Sequence, residues 1–173
     1  RLDEVFQIRF VSGDIRSHKK YYYVAQEYPN SLILLIDDDL YYPSNMIEQL
    51  INMRENNNGA VVCRYGYKMK YDNGIIKPYS TWERVKANSS SSCLFFGSGG
   101  GTLFKPSQMY KDLTNLDLAI KLTPMADDIW LNAMLKLKGS PLIMIKPQAL
   151  LPIKTVGSNQ TLCSENVYGG RND

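Results

Sequence analysis

The stretch LILLIDDDLYYP (residues 32–43) decides the expected fold, because a wholly apolar run leads directly into three acidic residues. The run from Leu32 to Ile36 is apolar at each position, which is typical of a short strand covered on both faces, as in a parallel sheet. A helix is predicted to begin at Pro43 or Ser44, since proline fits a first helical turn and serine can cap it. Strand, acidic turn and helix together predict an α/β protein.

Strands and helices continue to alternate on both sides of this stretch. Further strands are predicted at 5–11, 60–63, 102–104 and 142–145, further helices at 19–28 and 126–137, and a hairpin at 65–79 around Asp72-Asn73-Gly74. We expect a single domain over residues 1–173, with a mixed, mainly parallel sheet flanked by helices and an inserted β-hairpin.

Composition excludes several classes of protein. The net charge of +3 is small and the basic residues are scattered, so no nucleic-acid partner is expected. The longest apolar run is Leu32 to Ile36, far short of the roughly 18 residues of a transmembrane helix. The chain begins at Arg1 rather than Met and stops at residues 169–173 without a closing element, so we expect sequence to be missing at both ends.

The cysteines and the histidine restrict the chemistry. The three cysteines are Cys63, Cys93 and Cys163, an odd and widely spaced set that indicates reduced cytoplasmic thiols rather than a disulfide framework or a zinc motif. His18 is the single histidine, so sites that need two imidazoles are excluded. A Ser-His-Asp triad would depend on His18, and no Gly-x-Ser-x-Gly motif accompanies it.

The acidic triplet Asp37-Asp38-Asp39 follows the predicted buried strand. Ligands of open α/β sheets bind at that edge, outside the carboxyl ends of the strands. Three adjacent carboxylates repel one another, and a divalent cation relieves the repulsion; Mg²⁺ or Mn²⁺ suits oxygen ligands and a substrate diphosphate. The alternative is a solvated turn in which one aspartate caps the next helix.

A second acidic pair, Asp127-Asp128, begins the helix predicted at 126–137. One interpretation is stabilisation of the helix N-terminus by the macrodipole and by capping, worth about 0.3–1 kcal/mol. The other is a general base that removes the proton of an attacking hydroxyl group. Taken alone, the pair favours the first interpretation.

The segment Gly97 to Gly101 is glycine at four of its five positions. Glycine allows close approach of a ligand to the backbone and positive φ angles. It is not a phosphate-binding loop of the P-loop type, because no Gly-Lys-Ser/Thr follows. A flexible entry into the next strand is an equally good interpretation.

Three segments together resemble a known family: LILLIDDDLYYP (32–43), FFGSGGGTLFKPS (95–107) and PMADDIWLNAMLKL (124–137). In order and spacing they resemble bacterial glycosyltransferases of the GT-A fold, close to the family 2-like group. The resemblance runs from about Asp14 to the end of the chain. The triplet alone is common, whereas the three segments in order are considerably more specific.

The resemblance assigns roles by position. Asp37 and Asp39 match the Asp-x-Asp motif, with Asp39 first as metal ligand and Asp37 as a second ligand nearer the donor ribose or sugar. Asp38 would help either neighbour. Asp128, with Asp127 as the competing choice, matches the acidic base.

Other positions match contacts to the two substrates. The positions that match the donor site are Asp14, Lys19, Lys20, Gly99, Gly100 and Gly101. The glycines match a stretch that lines both the donor-sugar and the acceptor pocket. Among the aromatic residues, Tyr41 beside the triplet and Trp82 after the hairpin are the candidates for acceptor contact, since such rings stack on sugars; core packing is the alternative.

The chain also departs from the family. Only 36 residues precede Asp37, so much of the half that holds the nucleotide base is expected to be absent. No C-terminal histidine is available as a further metal ligand, and the Gln-x-x-Arg-Trp motif of processive synthases is absent. Whether the fragment is active by itself stays open.

The resemblance implies a Mn²⁺- or Mg²⁺-dependent glycosyltransferase that moves a sugar, most simply from a UDP-sugar, to a hydroxyl group of a glycan or lipid-linked acceptor, with inversion. It implies surface-polysaccharide synthesis in the cytoplasm, with peripheral association at the inner face of the cytoplasmic membrane. Two alternatives are a sugar-nucleotide nucleotidyltransferase and a non-catalytic carbohydrate-binding domain.

Overall fold

The structure, a computed structural model, describes residues 6–146 and the backbone of residues 151–152. The helices are α1 (Tyr22–Glu27), α2 (Met46–Glu55), α3 (Leu116–Leu122) and α4 (Asp127–Lys138). The strands are β1 (Ile33–Ile36), β2 (Leu40–Tyr41), β3 (Val61–Cys63), β4 (Gly66–Lys68), β5 (Tyr71–Asp72), β6 (Ile75–Ile76), β7 (Glu83–Arg84), β8 (Ser89–Ser90), β9 (Leu94–Phe96), β10 (Gly100–Phe104), β11 (Leu142–Met144) and β12 (Leu151–Pro152). Short 3₁₀ turns occur at Arg16–Lys20, Tyr79–Thr81, Pro106–Gln108 and Lys111–Thr114.

The main sheet has the strand order β1-β10-β3-β11-β8. The pair β3–β11 is parallel, whereas β1–β10, β10–β3 and β11–β8 are antiparallel. The predicted mainly parallel sheet is therefore wrong. The apolar runs that suggested it report burial on both faces, which β3 and β10 do have, but burial carries no information on strand direction.

Helices cover both faces of this sheet, so a mixed α/β architecture flanked by helices is confirmed. On one face α1 and α4 pack against β1, β3 and β10; this core includes Ala25, Leu35, Val61, Phe104 and Leu131. On the other face α2 places Met46 and Leu50 against Val62 and Leu103. Alternate residues of β3 thus point to opposite layers, as the period of a strand requires.

Strand β1 forms one edge of the sheet and is covered less than expected. Ile33 and Leu35 are buried, but Ile36 is 47% exposed. The prediction that residues 32–36 are covered on both faces is wrong at this end, because α2 lies over the centre of the sheet. The edge position leaves the residues that follow Ile36 open to solvent on one side.

The hairpin predicted at 65–79 is confirmed at its turn, but its arms are shorter than predicted, because residues 66–68 pair with β7 and β9 instead. Strands β5 and β6 pair with Asp72 opposite Ile75, and Asn73 and Gly74 have φ angles of 49° and 81°. These positive angles fit a two-residue turn of the type that asparagine and glycine favour. A three-stranded sheet, β7-β4-β9, accompanies it and was not expected.

The helix predicted at 126–137 is confirmed as α4, which ends at Gly139 with a left-handed φ of 74°.

The strand predicted at 5–11 is wrong over residues 6–11: they form no strand, and Phe6, Ile8 and Phe10 are largely exposed. No strand among the described residues pairs with them. Val5 and Cys163 lie outside the described residues, while Cys63 and Cys93 are free thiols. No helix within the described part of the chain is long and apolar enough to cross a membrane.

Candidate active site

The acidic triplet and the glycine segment meet because β1 and β10 are antiparallel. The end of one strand lies beside the start of the other, with Ile36 opposite Gly100 after a register shift at Leu35/Ile36. The N–H of Asp37 donates to the carbonyl oxygen of Gly99 at 3.2 Å and to the Tyr42 hydroxyl oxygen at 2.7 Å. The antiparallel pairing of β1 and β10, where a mainly parallel sheet was predicted, is thus what brings the two motifs together.

Gly99 is required by this close approach. A Cβ atom built at Gly99 would lie 1.7 Å from the Oδ2 atom of Asp37. Any side chain at this position would displace the carboxylate. Gly101 is constrained differently, since its φ of 97° lies in the left-handed region.

Lys20 joins the two acidic elements. Its Nζ atom lies 2.5 Å from Asp37 Oδ1 and 3.8 Å from Asp127 Oδ2, and it donates to the Ser98 hydroxyl oxygen at 3.3 Å. Burial lowers the pKa of Lys20, but the carboxylates of Asp127, Asp37 and Asp128 outweigh burial, and the net result is a raised pKa. The lysine is therefore a fixed cation at the centre of an acidic corner.

Ser98 links the glycine segment to the start of α4. Its hydroxyl donates to Asp127 Oδ2 at 2.7 Å, and its backbone N–H donates to Asp128 Oδ1 at 2.6 Å. The residue that precedes α4 is Ala126, and it makes no side-chain cap. Both aspartates lie in the first helical turn, where the dipole favours them, but their side chains are directed at Ser98 rather than at their own helix.

Asp128 is the carboxyl group that the environment perturbs most clearly. Burial, and then the neighbouring charge of Asp127, raise its pKa from 3.8 to about 6, while Ser98 and Lys20 oppose the shift. Asn132, one turn later, donates to the Asp128 and Phe96 carbonyl oxygens at 2.8 Å each. These bonds fix the start of α4 against β9.

A cleft of about 350 Å³ opens beside Asp128, and Trp82 lines it. The structure therefore brings together the predicted base and the predicted aromatic contact. Tyr41 does not belong to this group: it lies on β2, is 61% exposed, and pairs through its backbone with β12.

The remaining predicted residues lie at the periphery. Asp38 and Asp39 form an exposed turn after β1. Lys19 pairs with Asp14 at 3.1 Å on the exposed surface, where the Arg16 backbone N–H and then Lys19 lower the pKa of Asp14. Adjacent lysines thus point to different partners, and only Lys20 reaches Asp37.

Four residues that sequence reasoning did not single out help to build the site. Ser98 bridges the two acidic elements, and Tyr42 donates to the Gly99 carbonyl oxygen at 2.5 Å. Ser17 accepts from the Asp127 N–H at 3.3 Å, and Asn132 fixes α4. For Asn132 a signal existed, because it lies four residues after Asp128 and so on the same helix face.

Within the described residues, no three acidic, imidazole or thiol groups converge to form a complete metal cage. Carboxylates at Asp37 and Asp39 nevertheless suit Mg²⁺ or Mn²⁺, since these cations commonly take one or two protein carboxylates and complete their shell with substrate phosphates and water.

No family model matches the chain, and no curated protein matches it. Its function is therefore a proposal from the geometry of the site.

Proposed function

We propose that this protein is a metal-dependent glycosyltransferase that moves a sugar from a nucleotide-diphosphate donor, most simply a UDP-sugar, to an acceptor hydroxyl group. One observation carries the proposal: acidic groups from distant parts of the chain, Asp37 and Asp127-Asp128, converge on opposite sides of Ser98-Gly99 with Lys20 between them. A diphosphate site and a general base are the two parts that such a transfer needs.

The proposed donor site is the turn after β1 together with the glycine segment. Asp37 and Asp39 would hold Mn²⁺ or Mg²⁺, and Asp38, exposed in the same turn, adds negative charge. When bound, the cation neutralises charge on the diphosphate leaving group as a Lewis acid. Gly99, which has no side chain, lets the Asp37 carboxylate lie directly against the backbone of the glycine segment and so fixes the position of this proposed ligand.

The proposed base is Asp128. A pKa of about 6 keeps its carboxylate largely ionised at neutral pH yet able to take up a proton. In the proposed step Asp128 accepts the proton of the acceptor hydroxyl, the acceptor oxygen bonds to the anomeric carbon, and the bond from that carbon to the diphosphate oxygen breaks. A single displacement of this kind inverts the anomeric centre.

Asp127 has a different proposed role. It is 6% exposed and accepts a hydrogen bond from the Ser98 hydroxyl group, so it holds the glycine segment. It faces Lys20 rather than the cleft. Asp128, by contrast, lines the cleft. The geometry therefore favours Asp128 over Asp127 as the base.

The finer fold assignment belongs to the same proposal. We propose a GT-A-like arrangement, supported by the common direction of β1, β3 and β11, by the helices on both faces, and by the acidic turn at the carboxyl end of β1. Family 2-like membership and surface-polysaccharide synthesis at the cytoplasmic membrane face rest on the three segments 32–43, 95–107 and 124–137.

The test is release of UDP from a panel of UDP-sugars, measured with and without Mn²⁺ and with simple glycosides as acceptors. Asp39→Ala should remove the Mn²⁺ dependence, and Asp128→Asn should lower transfer by about 100-fold or more, in the range of a general base. Asp117→Ala, an exposed aspartate on α3, is the matched control and should retain activity. Unchanged turnover in Asp39→Ala would overturn the metal assignment.

Binding of Mn²⁺ and UDP without turnover would favour the carbohydrate-binding alternative. Pyrophosphate release from a nucleoside triphosphate and a sugar phosphate would favour the nucleotidyltransferase alternative. Thermal melting with Mn²⁺ and UDP gives an independent readout, because a ligand that binds the folded state raises the melting temperature.

A further inference from the structure

The cleft beside Asp128 has a mainly apolar, aromatic lining. The lining comes from the segment after the β5–β6 hairpin, from β9 and from the start of α4. The lining residues are Ile76, Lys77, Pro78, Tyr79, Trp82, Phe95, Ala126, Asp128 and Ile129. Lys77 and Asp128 are the two charged residues in this set, and the lining as a whole is more apolar than polar.

The aromatic walls offer mainly ring surface. Trp82 Nε1–H donates to the Lys77 carbonyl oxygen at 2.8 Å. Burial raises the pKa of Tyr79, so its hydroxyl is neutral. The rings of Tyr79, Trp82 and Phe95 follow one another edge to face, at centroid distances of 5.1 and 5.2 Å. A ligand therefore meets ring carbons together with a smaller polar surface.

The mouth of the cleft is also apolar. Ile76 on the hairpin and Ile129 on α4 both line the cleft and are 53% and 51% exposed. Ile75, which precedes Ile76, and Met125, four residues before Ile129, are exposed as well. Apolar surface of this kind gains free energy when a ligand covers it.

The charged groups are mostly engaged. Lys77 Nζ lies 2.6 Å from the carboxylate of Asp72. Asp128 Oδ1 accepts a hydrogen bond from the Ser98 backbone N–H at 2.6 Å. Because the lining of the cleft is more apolar than polar, a ligand with an apolar body covers more of it favourably than a free sugar does.

We infer that the cleft binds an acceptor whose reacting hydroxyl is carried on an apolar body, as in an alkyl or aryl glycoside or a lipid-linked sugar. The hydroxyl lies at Asp128, and the apolar body covers Trp82 and extends to Ile76 and Ile129. This inference rests on the proposed function, because it assigns the cleft to the acceptor.

The experiment compares binding of methyl and octyl β-D-glucopyranosides by calorimetry, below the micelle concentration, with phenyl β-D-glucopyranoside as a third probe. The octyl glycoside should bind at least about 10-fold more tightly than the methyl glycoside, since it buries seven further methylene groups. A gain with the phenyl probe alone would identify an aryl acceptor, and a gain with octyl a lipid chain; either supports the inference.

Two matched variants locate the binding. Ile129→Ser should weaken octyl or phenyl binding several-fold, whereas Leu137→Ser should not, although both residues are exposed on α4 and Leu137 lies near its other end. Equal affinity for the three probes, or equal loss in the two variants, would overturn the inference.

Failure of the proposed function is distinguishable from failure of the cleft assignment. Stabilisation by Mn²⁺ and UDP, and donor hydrolysis without acceptor, depend on the donor site alone. If both are present while the three glycosides bind equally, the acceptor class is wrong and the transferase proposal stands. If neither is present while octyl glucoside binds, the cleft is an amphiphile site without the proposed chemistry.

Discussion

Two adjoining regions of the molecule are built by opposite means. The acidic corner (Lys20, Asp37, Ser98, Asp127 and Asp128) is held by short polar contacts between parts of the chain that are far apart in sequence. The apolar cleft wall (Ile76, Tyr79, Trp82, Phe95 and Ile129) is held by ring packing and leaves carbon surface exposed. The first fixes charges before a ligand arrives, and the second offers a surface that different ligands can cover.

The difference has an energetic consequence. Charged groups withdrawn from water must keep their partners, because one unpaired charge costs several kcal/mol. Half-exposed carbon surface, as at Ile76 and Ile129, loses little stability when one side chain is shortened. Substitutions in the acidic corner should therefore affect folding and chemistry together, whereas substitutions of these two isoleucines should affect mainly ligand binding.

The largest effect is expected from Gly99→Ala. The added Cβ would overlap Asp37 Oδ2 at 1.7 Å, so the carboxylate or the strand must move. We expect a loss of turnover of about 100-fold or more from the misplaced group, and a destabilisation of about 1–3 kcal/mol. UDP release and urea unfolding measure the two effects.

Gly139→Ala is the control for the glycine substitution. Its φ of 74° strains alanine by about 1–2 kcal/mol, but nothing lies within 4 Å of the new Cβ. It should lose stability and keep activity. If Gly99→Ala behaved in the same way, the close approach to Asp37 would have no functional role.

Lys20→Gln comes next. It removes the cation between Asp37 and Asp127, and we expect a destabilisation of about 1–2 kcal/mol after allowing for solvent screening at the half-exposed Asp37. Since Lys20 lowers the pKa of Asp128, its removal should also move the acid limb of the pH–rate profile to higher pH. Lys19→Gln, the neighbouring substitution, should change neither; a matching shift in both variants would contradict the central position of Lys20.

Asp128→Asn should show a pH-dependent gain in stability. The folded-state pKa of about 6 exceeds the ordinary 3.8, so the folded protein holds this proton more tightly and loses stability as pH rises from about 4 to 6. Asparagine has no such loss. The variant should gain about 1–2 kcal/mol relative to the parent between pH 4 and pH 7. Unfolding curves at the two pH values measure this, and a pH-independent difference would contradict the raised pKa.

The smallest effect on catalysis is expected in the cleft wall. Trp82→Ala should raise the acceptor KM by about 10-fold, and it should cost about 1–3 kcal/mol of stability because the partly buried ring packs on Tyr79 and Phe95. Trp82→Phe retains a ring and should lie close to the parent. A large fall in kcat with unchanged KM would show instead that Trp82 positions the acidic corner.

Local patterns predicted much of the fold. The Asn73-Gly74 turn fixed the hairpin, and the apolar face of residues 126–137 with Gly139 after it fixed α4, because these signals act between near neighbours. The direction of β10 could not be predicted in this way. It depends on pairing with β1 and β3, more than thirty residues away, and a strand buried on both faces looks the same in either direction.

The sequence indicated several charged residues of the candidate site, but not the hydrogen bonds that connect them. Asp37, Lys20 and Asp128 were chosen as residue types suited to charge and proton transfer, and the structure brings them close together. Ser98 was hidden inside the glycine segment, since a hydroxyl gains its role only from the two carboxylates beside it. Asp14 and Lys19 carry the same charges as Asp37 and Lys20, but they pair with each other at the exposed surface.

The position of β10 has a consequence for biosynthesis. Strand β10 follows β1 and β3 in the chain yet lies between them in the sheet. During synthesis from the N-terminus, β1 and β3 therefore cannot complete their pairing until residues 100–104 have emerged from the ribosome. Long-range pairing of this kind slows folding. Asp37 contacts Gly99 only after β10 has inserted, so the nascent protein cannot assemble the acidic corner before β10 is in place.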